Sequence, residues 1–323
     1  MGLLDEIRLN RSVDNFKTIF HDLANSNKQE AIALINDENL HFPSLYILQN
    51  EFRKFDLSPY LSVRNRCALE ITNEILTRRD AKPQRLLTGN KKENYATLKW
   101  MFETGTRDDG LNDQYDEVLE VSAILLIKEF KDNACLSRMI EMIFNRYKKG
   151  FYTYDLQWAL FESRCPECLL LVANHLRSND QKEIELARKL LSFIPDMHMD
   201  REVDPRNQYN RSRSWINENR KFLVYTGESM NQTSNPRPYI VSLASKYLQI
   251  AVSMDTGEAW RVLEAPERSL FDGFKQLDRD SQLLLSHCSS VLHDKNKKWW
   301  KQWLSYPMIK QIKIAKKLLE GVS

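Results

Sequence analysis

Three six-residue stretches of this chain repeat one pattern of aliphatic, Ala, any, Lys, any, Leu: residues 186–191 (Leu-Ala-Arg-Lys-Leu-Leu), 243–248 (Leu-Ala-Ser-Lys-Tyr-Leu) and 314–319 (Ile-Ala-Lys-Lys-Leu-Leu). A small residue followed three and four positions later by large apolar ones describes a helix whose Ala lets a neighbouring helix approach while its Leu residues fill the seam. Recurrence of that seam predicts stacked helical units and buried leucines at Leu190, Leu248 and Leu318.

Turn residues are scarce. Only 9 Gly and 10 Pro punctuate 323 residues, too few for a fold of many short strands and well matched to long helices joined by polar turns. Hydrophobic residues make up 42% of the chain, and the mean hydropathy of −0.53 comes with no apolar run long enough to span a bilayer. The N-terminal Met1-Gly2-Leu3-Leu4-Asp5-Glu6 places acids where a signal peptide needs cations and an apolar run. It also puts Glu6 where myristoylation needs Ser or Thr. Cys67, Cys135, Cys165, Cys168 and Cys288 are too few and too scattered for a disulfide framework, so the expected setting is a reducing cytoplasm.

Along the chain, helical spacing recurs at Val63, Cys67, Ala68, Ile71, Ile75 and Leu76, at Leu136, Met139, Ile140, Ile143, Phe144 and Tyr147, and through 183–194. Residues 118–130 are apolar nearly all round, which marks a helix covered on several sides. Helix pairs begin near Tyr115, Phe151 and Glu183, at intervals of about 30–40 residues. Pro195 ends this run, and a polar stretch rich in Arg, Asn and Ser follows to Asn235, with one short helix expected at 215–223. Helices are expected again at 238–251, 270–277, 281–292, 297–304 and 307–319. The expected organisation is an N-terminal helical region (1–90), a helical-repeat core (91–195), a polar basic connector or insertion (196–235) and a C-terminal helical region (236–323). Helix pairs of this length with Ala-anchored second helices resemble the HEAT and armadillo α-solenoids. The expected fold is an all-α, irregular solenoid of roughly 14–17 helices, and the resemblance implies a scaffold with a concave binding face.

Motifs that carry chemistry are sparse. Cys165-Pro166-Glu167-Cys168 has the spacing of a redox pair, but the preceding segment reads as helix, and Pro near a helix start explains the letters structurally. A zinc site there would need two further ligands, and only His175 is near. Asp196, His198, Asp200, Glu202 and Asp204 would hold a divalent cation only if a second segment completed the shell. The Gly105 to Gly110 loop lacks the Lys-Ser/Thr of a phosphate loop. No metal or cofactor is expected, and no catalytic residue is assigned.

Charge is the remaining signal. The net charge is +3, but residues 201–323 carry 20 basic against 13 acidic side chains. Two clusters stand out as candidate partner-binding residues: Arg206, Tyr209, Arg211, Arg213 and Trp215 in the polar stretch, and Lys297, Lys298, Trp299, Trp300, Lys301 and Trp303 near the C-terminus. Cations beside aromatics suit a protein surface, a nucleic acid or a membrane interface. The C-terminal tryptophans equally suit a cap on a helical core, with lysine stems lying along it. The function expected from these features is a non-enzymatic, cytoplasmic scaffold or adaptor that binds another protein. The alternative is a nucleic-acid-binding protein or HEAT-like DNA glycosylase that uses the basic C-terminal region.

Overall fold

The computed structural model describes residues 1–77, 87, 89–195, 197, 204–228, 232–233 and 236–320. The protein is all-α: seventeen α-helices and one two-stranded antiparallel sheet are found among the described residues. The chain divides into two compact units, Met1–Ser163 and Arg164–Ser323. No helix among the described residues is long and apolar enough to cross a membrane.

The first unit holds α1 (Leu3–Leu9), α2 (Val13–Ser26), α3 (Lys28–Ile35), α4 (Phe42–Lys54), α5 (Val63–Thr77), α6 (Lys91–Gly105), α7 (Asp113–Lys128), α8 (Leu136–Lys148) and α9 (Tyr154–Glu162). Short polar side chains start several of these helices. Ser12, Asn27, Asn90 and Asn112 accept from the first-turn amides of Asn15, Glu30, Lys92 and Tyr115, satisfying donors that a helix start leaves without partners. Helix α7 is buried along most of its length, as its sequence demands. A close approach fixes it against α6: a Cβ on Gly105 would lie 2.6 Å from Leu119 and 2.8 Å from the Tyr115 hydroxyl, which itself donates to the Gly105 carbonyl at 3.0 Å. Phe42 stacks on Tyr115 at 5.5 Å beside Tyr46 and Trp100, giving the unit an aromatic centre. Arg8 is also buried, clamped by Asp108 at 2.6 Å and donating to Ser44, which donates in turn to Asp5.

The second unit contains α10 (Pro166–Asn174), α11 (Gln181–Leu190), α12 (Pro205–Asn219), β1 (Leu223–Tyr225), β2 (Tyr239–Val241), α13 (Leu243–Leu248), α14 (Ala265–Lys275), α15 (Arg279–Lys295), α16 (Lys297–Leu304) and α17 (Met308–Glu320). Two expectations need correction here. The polar stretch expected to hold one short helix at 215–223 instead forms α12 from Pro205, started by Asp204 and Pro205 and ended at Asn219. Its buried stripe, Gln208, Ser212, Ile216 and Asn219, is mostly polar, so hydrophobic periodicity could not reveal it. The helix expected at 238–251 begins only at Leu243. Residues 239–241 pair instead with 223–225, with Tyr225 opposite Tyr239, as suits aromatic and β-branched residues.

All three motif alanines are buried: Ala187, Ala244 and Ala315. Leu190 and Leu248 are buried too, while Leu318 is partly covered against the core of the unit. That core surrounds Tyr247, which stacks on Phe274 at 4.7 Å and meets Trp303 edge-on at 5.8 Å. Trp303 has no exposed area and donates its indole N–H to the Gln311 carbonyl; Trp300, half-buried, donates to Ser289, which donates to the Tyr247 carbonyl.

Candidate functional site

The shared motif places a Lys at its fourth position three times, with three different neighbours. Lys189 and Lys317 lie exposed in solvent. Lys246 is only 6% exposed, because every residue of the six-residue α13 is buried. A buried ammonium requires partners. Lys246 Nζ donates to Glu218 Oε1 at 2.6 Å and to Asn219 Oδ1 at 2.8 Å. The Asn219 amide nitrogen donates to the Trp215 carbonyl at 2.8 Å, which turns its oxygen toward the lysine. Among the described residues no acceptor meets the third ammonium hydrogen.

These residues line a cavity of ≈ 380 Å³. One wall is apolar, formed by Phe193, Trp215, Tyr239 and Leu243, and Ile240 and Leu283 also line it while remaining 49% and 47% exposed. Arg237, Arg279 and His287 supply the polar remainder together with Lys246. Glu218 is the one acid of the lining among the described residues, and it is already engaged. His287 Nδ1 lies 3.6 Å from Glu218 Oε1, and the neighbouring His287 imidazole and then the hydrogen-bonded Lys246 ammonium, against the opposing effect of burial, hold the Glu218 carboxyl down to about 2. The carboxylate therefore stays ionised and neutralises the lysine, leaving the two arginines to set the sign of the cavity.

The sequence-predicted residues separate into distinct places. Trp215 lines this cavity, packed edge-on against Phe193 at 5.9 Å. Arg206 and Tyr209 line a second depression of ≈ 530 Å³ with Arg177, whose guanidinium lies 5.2 Å from the Tyr209 ring. Arg211 and Arg213 are exposed on α12. Among the described residues no carboxylate pairs with Arg206, Arg211 or Arg213. Lys297, Lys298 and Lys301 are exposed on α16, and Trp299 is 38% exposed beside them. Trp303 belongs to the core, and Trp300 stands at its margin. None of the α16 residues lines the Lys246 cavity.

Sequence reasoning missed Glu218, Asn219, Arg237, Lys246, Arg279 and His287. Only Lys246 carried a signal, as part of the repeated motif; the others meet through tertiary folding across about 70 residues of chain.

The remaining motifs have structural surroundings. Cys165 precedes α10 and Cys168 is buried within it; burial pushes the Cys165 thiol up, which disfavours the reactive thiolate. His175 pairs with Glu183 at 3.0 Å. Asp196, His198, Asp200 and Glu202 lie outside the described residues. Among the described residues no group of three or more His, Cys, Asp or Glu side chains is gathered as metal ligands would be.

No family model, characterised protein or solved structure matches this chain.

Proposed function

We propose that this protein is a non-enzymatic docking protein whose Arg164–Ser323 unit binds an acidic segment of a partner protein, with an aliphatic or aromatic side chain of that segment seated in the Lys246 cavity. One observation carries the reading. The cavity joins an apolar wall with part-exposed Ile240 and Leu283 to two arginines whose charges no lining acid neutralises among the described residues. Protein interfaces have this anatomy, an apolar centre that accepts an anchoring side chain and a polar rim enriched in Arg. Arg206 and Arg213, seven residues apart and therefore on one side of α12, extend the electropositive surface and favour fast encounter with an acidic partner.

The proposal includes a HEAT-like stacking of the helices. It is supported in the first unit, where α5 packs on both α6 and α7, and α7 on both α6 and α9, as stacked helical pairs do. It also includes a cytoplasmic setting, supported by five cysteines that form no disulfide among the described residues, four of them buried.

The lysine-rich surface of α16 and α17 favours a second reading, binding of a nucleic-acid backbone. Affinity capture from native lysate separates the two. Wild-type protein should retain a protein partner that Leu283→Asp loses, with only moderate sensitivity to salt. A retained nucleic acid, insensitive to Leu283→Asp and lost along a steep linear slope of log affinity against log salt, would overturn the docking reading.

A further inference from the structure

The first unit contains a cavity of ≈ 650 Å³ that the docking reading does not use. It opens beside the short helical turn Thr106–Asp108, between α6 and α7, and against the outer side of α8. Four cations line it: Arg107, Arg138, Lys148 and Lys149. Two of them are held in place by neutral oxygens. Arg138 Nη1 donates to the Glu103 carbonyl and, at 3.2 Å, to the Thr106 hydroxyl. Lys149 Nζ donates to the Asp109 carbonyl at 3.3 Å. A cation anchored by a carbonyl or hydroxyl keeps its full charge, whereas one anchored by a carboxylate does not.

Among the described residues the acids of the lining do not offset the charges of Arg107, Arg138 and Lys149. Asp109 presents its carboxylate to Arg146, which donates to both of its oxygens at 2.7 to 3.1 Å from behind the cavity wall. Glu141 is exposed, and among the described residues it pairs with none of the four cations. The result is a concave, polar site with pre-positioned cations and one uncommitted carboxylate. Its volume falls within the range of pockets for nucleotide-sized ligands, and its charge exceeds what a single carboxylate would neutralise. Guanidinium forks match phosphate oxygens, and lysines add point charge.

We propose that this cavity binds a small ligand bearing a chain of phosphates, with Arg107, Arg138 and Lys149 as the principal contacts. The shared chemistry is the polyphosphate, whether free or attached to a nucleoside. Calorimetric titration of the whole protein with sodium tripolyphosphate, and separately with ATP, tests this. Saturable one-to-one binding is expected. The double variant Arg107→Glu, Lys149→Glu should lose at least about tenfold in affinity, the scale of one or more charge-assisted hydrogen bonds, with unchanged thermal unfolding. If that reversal impairs folding, Arg107→Gln with Lys149→Gln removes the same two charges more gently and should show the same loss. Lys189→Glu with Arg268→Glu, both exposed in the other unit, changes the net charge by the same amount and should leave the affinity as in wild type. ATP binding tighter than tripolyphosphate would assign the ligand as a nucleotide, and equal affinities would assign the phosphate chain alone. Equal losses in the two charge-reversal variants, or no saturable binding of either probe at millimolar concentration, would overturn the proposal.

Discussion

Among the described residues each unit buries two cations, Arg8 and Arg146 in the first and Arg188 and Lys246 in the second, and Arg146 and Lys246 are treated differently. In the first unit, Arg146 is 4% exposed and spends its donors on Asp109, Glu120 and the Asp116 carbonyl. In the second, Lys246 is 6% exposed, pairs with one carboxylate and one amide, and lines a cavity. A buried charge enclosed by two carboxylates is a structural tie. A buried charge with a donor left over beside an opening is poised to meet something from outside. The comparison also separates their carboxylate partners. Burial outweighs Arg146 and pushes Glu120 up to about 6, whereas His287 and Lys246 pull Glu218 down to about 2.

The largest effect expected from this contrast is on Arg146. Arg146→Met leaves Asp109 and Glu120 without their cation in a largely buried setting and should cost about 3–5 kcal/mol in denaturant unfolding. Lys246→Met should cost less, roughly 1–2 kcal/mol, because Glu218 keeps His287 and is 31% exposed. An equal cost for the two would break the distinction between structural tie and open site.

The smaller effect is on pH dependence, and the two glutamates should act with opposite sign. Glu120 has its folded pKa raised above the ordinary 4.5, so the stability it contributes is complete below 4.5 and is lost as pH rises through about 6. Glu218 has its folded pKa depressed, so its contribution is present above 4.5 and is lost as pH falls toward about 2. Unfolding curves of Glu120→Gln and Glu218→Gln across this range should diverge from wild type in opposite directions, each by roughly 1 kcal/mol. Parallel curves would show that the two environments are equivalent after all.

Much of the fold is legible in the sequence because its signals are local. The helix at 297–304 coincides with α16, and the seam residues Ala187, Ala244 and Ala315 are buried as their motif requires. Helix α12 was obscured by a polar inner face, with Gln208 and Ser212 buried where a periodicity argument looks for Leu. The strands were obscured by brevity: three residues each, separated by a long connection. The cavity was less legible still. Lys189, Lys246 and Lys317 share one motif position, and nothing in the six letters says that only the second is enclosed. That difference arises because α13 is covered by α14 and α15, a property of tertiary packing. Among the predicted binding residues, Trp215 alone reaches the Lys246 cavity; Arg211 and Arg213, two residues apart on α12, project from opposite flanks of the helix and neither lines the cavity.

The central claim is that the Lys246 cavity and its arginines receive an acidic segment carrying an apolar anchor. Selection of peptides from a randomised display library on the whole protein tests it most directly, with counter-selection on an Arg237→Glu, Arg279→Glu variant. Enrichment of peptides with a Leu, Ile, Phe or Trp flanked by Asp or Glu, all losing binding on the variant, is the predicted result. Enriched peptides that bind the variant as well as wild type, or that are basic, would contradict the account.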